Sequence, residues 1–128
     1  MSHSKWTEVE LSGAGIDDAS LKSVAAAKNL RTLVLNVTSV TDAGVRELAP
    51  LARLRQLSFA NALVTDRGLK HLATFKHLQA LSLIGTRVTD RGLKDLAAIK
   101  GLRTLSLHRT AVSDAGIEDL AALNTGFL

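Results

Sequence analysis

The sequence predicts an α/β fold: a solenoid of five stacked strand-loop-helix units of 24 residues each. Three observations lead there. Apolar residues return with a period of 24 at Trp6, Leu30, Leu54, Leu78 and Leu102, and self-similarity at such a period marks stacked repeats. Within a unit, Leu30, Leu33 and Leu35 include an i, i+2 pair, the spacing of a strand with one buried face. Further along, Val45, Leu48 and Leu51 recur at helical spacing.

The strand opens each unit, and Val40 and its counterparts anchor the loop behind it. The helix start follows. Thr41, Thr65, Thr89 and Ser113 can accept hydrogen bonds from the free N–H groups of a first turn. The next residues, Asp42, Asp66, Asp90 and Asp114, suit its positive end, and Asp17 and Asp18 serve the first unit. Gly44, Gly68, Gly92 and Gly116 then fall inside the helix, where glycine costs about 1 kcal/mol against alanine. Close packing is the expected compensation. Ala25, Ala49, Ala73, Ala97 and Ala121 repeat along the helices and read as small residues that let each helix approach the sheet or its neighbour. The units are 6–29, 30–53, 54–77, 78–101 and 102–125, without insertion, and residues 1–128 are expected to form one domain. A single unit cannot bury its own apolar side; stacked copies build a continuous core.

The strand segments LQALSL at 78–83 and LRTLSL at 102–107, with the tails VTDRGL at 88–93 and VSDAGI at 112–117, resemble the leucine-rich-repeat family. They are similar to its T-D-x-G-L subtype, found in cysteine-containing and bacterial members. The resemblance covers residues 6 to about 125. It implies a right-handed horseshoe with a parallel sheet on the concave side and helices on the convex side. One departure is visible. Where the family carries Asn or Cys, this chain has Ala14, Thr38, Ala62, Thr86 and Thr110, so threonine hydroxyls are available at three of five levels.

Composition narrows the function. With no cysteine, disulfides and thiolate metal sites are excluded. The polar start of the chain, and the shortness of even its longest apolar runs, such as Val24 to Ala27, lead to the expectation of a soluble, cytoplasmic protein without membrane contact. The formal charge is +4, but along the sequence the cations are dispersed and often stand beside carboxylates. With three Phe, one Trp and no Tyr for stacking, nucleic acid is not the expected partner.

No constellation in the repeat predicts catalysis, and no cofactor is expected. The ladder Asp18, Asp42, Asp66, Asp90 and Asp114 supplies one carboxylate per level, too few oxygen ligands for calcium, and reads as helix capping. His3, His71, His77 and His108 form no ligand pair on one face. Ser58, Ser82 and Ser106 align on adjacent strands without a His or Asp beside them to activate a nucleophile. Lys22, Arg46, Lys70 and Lys94 share a helical row, with Arg67 and Arg91 nearby; Glu47, Asp95, Glu118 and Asp119 interrupt it, and it reads as a solvated face.

A protein partner is the remaining class, and the strand residues that face away from the helices are where it would bind. Those residues are Glu8, Glu10, Thr32, Val34, Asn36, Gln56, Ser58, Ser82, Ile84, Thr104, Ser106 and His108, together with Asn61 and Arg109. They run from acidic at the first strand to basic at the last. Five strands at ~4.8 Å make a sheet roughly 20 to 25 Å wide, enough for a peptide or the edge of a small domain. The alternative function is structural: self-assembly through uncapped ends as an end-to-end homodimer rather than a monomer, with Phe127 and Leu128 as candidate contacts. A piece of a longer repeat protein is a further reading.

Overall fold

The computed structural model describes residues 6–123. Among them are five strands, β1 (Glu8–Glu10), β2 (Thr32–Val34), β3 (Gln56–Ser58), β4 (Ala80–Ser82) and β5 (Thr104–Ser106). They alternate with α1 (Asp18–Val24), α2 (Asp42–Glu47), α3 (Asp66–Leu72), α4 (Asp90–Leu96) and α5 (Asp114–Leu123). The sheet is parallel and ordered β1-β2-β3-β4-β5. Glu8 pairs with Thr32, Thr32 with Gln56, Gln56 with Ala80 and Ala80 with Thr104, so every step along the sheet is one 24-residue unit. The expected solenoid of strand-helix repeats is the fold observed.

One apolar core runs the length of the stack. Leu33, Leu57 and Leu81 enter it from mid-strand and Leu35, Phe59 and Leu83 from just beyond, while Val45, Leu69 and Leu93 meet them from the helices. At the same helical place in α5, Ile117 is 36% exposed. Trp6, in the first unit at the opposite end of the stack, is 42% exposed.

The aspartate ladder has a role the sequence reading did not assign. The carboxylates of Asp18, Asp42, Asp66 and Asp90 reach forward to the next unit, where one oxygen accepts the backbone N–H of the capping residue and the other its hydroxyl. Asp42 takes Thr65 N–H at 2.7 Å and Thr65 Oγ1 at 2.5 Å; Asp18 does the same to Thr41, Asp66 to Thr89 and Asp90 to Ser113. These bonds hold one repeat to the next. Helix capping is the weaker half of the pattern: Thr41 and Thr65 accept from N–H groups two residues on at 3.3 Å, and Thr89 makes no such bond.

The glycines follow from this clamp. A Cβ on Gly44, Gly68, Gly92 or Gly116 would run into the carboxylate of Asp18, Asp42, Asp66 or Asp90 respectively. Ser20 occupies the glycine place in the first unit, and there it closes a reciprocal capping box with Asp17 instead. The expected close packing is thus present at the glycines. The alanine row lies toward the helix ends: Ala25, Ala73 and Ala97 are C-caps, Ala97 packs against the core as expected, and Ala49 is exposed, contrary to the expectation.

The threonines at the Asn or Cys position bond within their own loops. Thr38, Thr86 and Thr110 donate to the carbonyls of Leu35, Leu83 and Leu107 at 3.0, 2.7 and 2.6 Å. Just before this position the chain must pass through left-handed backbone in every unit: Gly13, Val37, Asn61, Gly85 and Arg109 have φ of 105°, 54°, 60°, 71° and 59°. Glycine and asparagine adopt that conformation readily; a β-branched residue does so at a cost of about 1–2 kcal/mol. Val37 is 59% exposed, so it recovers little of that cost by burial. Val37→Asn is expected to stabilise the protein by about 0.5–1 kcal/mol, read as a higher urea midpoint. An unchanged midpoint would mean that Val37 carries no strain.

Candidate functional site

Parallel pairing at an unshifted register places equivalent side chains of neighbouring strands next to one another on the face away from the helices. Two rows result: Glu8, Thr32, Gln56, Ala80 and Thr104, and beside them Glu10, Val34, Ser58, Ser82 and Ser106. Thr32, Val34, Gln56, Ser58, Ala80, Ser82, Thr104 and Ser106 line a depression of about 310 Å³ spanning four strands. Its floor is made of small residues because Ala80, Ser82, Ser58 and Ser106 leave room where larger side chains would fill the hollow. The lining is uncharged; Thr32 Oγ1 lies 3.4 Å from Gln56 Oε1. Glu8 and Glu10 stand exposed on the flank at β1.

The other candidate residues lie beyond the strand ends. Asn36 is tied up: its Oδ1 accepts from Ser58 Oγ at 2.5 Å and from the Ala60 N–H at 3.2 Å, joining the second unit to the third. Ile84 is half-buried, and His108 is exposed. Asn61 and Arg109 hold the left-handed positions of their loops, and the Asn61 amide covers Gly85. The strand residues thus form one surface, and these five stand at its margin on the strand-to-helix loops. Phe127 and Leu128 lie outside the described residues, as does His3.

Two exposed apolar residues on the same loops escaped the sequence reading. Val37 is 59% and Leu63 48% exposed. The repeat register contained the signal, since Val37 stands where other units carry Gly13, Asn61, Gly85 and Arg109, and Leu63 where they carry Gly15, Ser39, Arg87 and Ala111.

Titratable groups give the site no obvious proton chemistry. Asp90 is held below the ordinary carboxylate range by the Ser113 hydroxyl and then by the Ser113 N–H, which both donate to its charged form. That is the inter-repeat clamp, remote from the sheet face. Among the described residues no three His, Cys, Asp or Glu side chains gather as metal ligands. Nor is any helix among them long and apolar enough to cross a membrane.

Three helical cations and Arg87, which precedes α4, meet at one hollow. Arg67, Lys70, Arg87 and Arg91 line a depression of about 390 Å³, shared with Asp66 and Asp95. Asp66 is committed to Thr89, and Asp95 places a second negative charge among the four positive ones.

Comparison with known proteins agrees with the architecture. A family model described as leucine-rich repeat matches residues 76–97. Among solved structures, the chain is similar to internalin C2 of Listeria monocytogenes, with 27% identity and a TM-score of 0.63 over 77% of this chain and 42% of that one. A leucine-rich-repeat protein of Leptospira interrogans aligns at 22% identity and a TM-score of 0.64, over 84% of this chain and 26% of that one. A second Listeria internalin aligns at 20% identity and a TM-score of 0.53, over 80% and 35%. The chain spans less than half the length of each of these structures. No curated protein matches it in sequence. The fold is that of the bacterial leucine-rich-repeat solenoids.

Proposed function

We propose that this chain is a non-enzymatic interaction module that holds a protein partner on the outer face of its sheet. The observation that carries the reading is the uncharged hollow of about 310 Å³ on β2 to β5. Its rim is built from outward-facing strand residues over the core leucines Leu57 and Leu81, on a scaffold with a clamp at each unit boundary. A shallow, small-residue floor flanked by Glu8 and Glu10 suits a segment that enters with its own side chains and a basic group toward β1. Affinity is modest on this reading, since the face lacks the aromatic anchors that dominate most interfaces.

Self-assembly through the ends is opposed by the clamp chemistry. Stacking the last unit of one copy on the first of another would bring the Asp114 carboxylate to Asp17, a second carboxylate, where inner boundaries offer a hydroxyl. It would also set Ser20 where those boundaries have glycine.

The test is affinity capture from the source cell with the wild-type chain and with Val34→Arg/Ser82→Arg. Both side chains are half-buried on the sheet face, and an unchanged urea midpoint would show the variant folded. A protein retained by the wild type and lost by the folded variant is the expected result. Equal retention by both would take the binding site off the sheet.

A further inference from the structure

The turns that lead from each helix into the next strand, residues 25–31, 49–55, 73–79 and 97–103, contain seven of the 16 lysines and arginines and no carboxylate. Read along the sequence these cations are dispersed; stacking at 24 residues collects them on one edge of the solenoid. This corrects the sequence expectation. At the centre of the edge, Arg31, Arg53, Arg55 and His77 line a pocket of about 210 Å³.

The backbone sets their spacing. The carbonyl of Arg31 accepts the N–H groups of Arg55 and Gln56 at 2.8 and 2.9 Å, which fixes Arg55 one level, about 4.8 Å, from Arg31. Arg53 and His77 are likewise one unit apart. The Arg53 guanidinium is oriented by Nη1 donating to Asn29 Oδ1 at 2.9 Å. No described carboxylate pairs with Arg31, Arg55 or His77. The repeat does not require arginine here: the place of Arg31, Arg55 and Arg103 is held by Thr7 and Gln79 in the other two units, and that of Arg53 and His77 by Asn29 and Gly101. Three arginines gathered in a concave site without a carboxylate in its lining, at places where other units carry neutral residues, are the arrangement that recognises an anion. The hollow lined by Arg67, Lys70, Arg87 and Arg91 differs in containing its own carboxylates.

We propose that the Arg31, Arg53, Arg55 and His77 pocket binds a tetrahedral oxyanion, a phosphate or sulfate group. Guanidinium forks match its oxygens in pairs, and at about 210 Å³ the pocket takes the anionic group rather than a whole drug-sized ligand. The site lies at the entry to the strands and is independent of the sheet-face reading.

Titration of the arginine side-chain N–H resonances at constant ionic strength tests it, with inorganic phosphate and phosphoserine as probes. Saturable shifts at Arg31 and Arg55 are expected. Arg31→Gln/Arg55→Gln, both exposed positions, should weaken binding at least tenfold, while Arg67→Gln/Arg91→Gln should leave it unchanged. Tighter binding of phosphoserine would assign an ester group carried on a larger molecule, and tighter binding of phosphate the free ion. No saturable shift with either probe, or equal weakening by both double variants, would overturn the site.

Discussion

Gly68→Ala is expected to destabilise the protein by about 1–3 kcal/mol, although the same change inside a helix ordinarily stabilises by roughly 0.4–1 kcal/mol. A Cβ on Gly68 would stand 2.5 Å from Asp42 Oδ1 and 3.1 Å from Val64 Cγ1. To admit it the carboxylate must move, and moving it breaks the bonds from the Thr65 N–H and hydroxyl. Asp42→Ala alone removes the same two bonds, at about 2–3 kcal/mol for charge-assisted hydrogen bonds. The double variant carries the sharper expectation. With the carboxylate gone, the alanine at 68 has room on that side, so adding Gly68→Ala to Asp42→Ala should cost close to nothing or restore some stability. Urea denaturation of the four proteins gives a coupling of at least about 1 kcal/mol if the glycine exists for the carboxylate. Equal destabilisation in both backgrounds would assign the effect to Val64 instead.

This clamp also marks the limit of what could be read from the sequence. The period of 24 residues and the alternation of strand and helix were legible because burying one face imposes a spacing on leucine that survives substitution elsewhere. Asp, Thr and Gly were legible as a recurring trio but not as a contact. Thr65 and Gly68 lie a few residues apart, which suggests local capping, whereas the carboxylate they serve is Asp42, 23 residues before Thr65. Only stacking creates that neighbour. The first unit carried the clue: Asp17 and Ser20 replace the hydroxyl and the glycine together, so the two places vary as one.

The binding surfaces divide in the same way. Alternation within a strand was enough to name Thr32, Val34, Gln56, Ser58, Ser82, Thr104 and Ser106 as outward-facing, and these residues do line one hollow. Where the strand stops after three residues, alternation stops too: Asn36 spends its Oδ1 on Ser58 and the Ala60 N–H, and Asn61 stands exposed at a left-handed loop position. Charge was hardest to read linearly. Arg31 and Arg55 are distant in sequence and adjacent in space, and each has uncharged residues for close sequence neighbours on one side. Written in register they form a column, while in a single line they look scattered.

Phe59→Ala is expected to be the most damaging single substitution near the sheet face, at about 3–5 kcal/mol. Phe59 is 0% exposed, and the flanking Leu35 and Leu83 occupy the same place at the adjacent levels, also at 0%. Truncation therefore opens a cavity walled by neighbouring units that the clamps at Thr41, Thr65 and Thr89 hold at fixed spacing, so the void has little freedom to collapse. Phe59→Leu, which repeats the residue used at both adjacent levels, should cost less than about 1.5 kcal/mol. The difference between the two variants measures how rigidly the stack is held. Phe59 follows Ser58 and precedes Ala60, so the alanine variant removes the support beneath the outward-facing row as well. A loss below about 1 kcal/mol for Phe59→Ala would mean that the units close up over the void, and the sheet face could then not be the rigid, preformed surface on which the binding proposal depends.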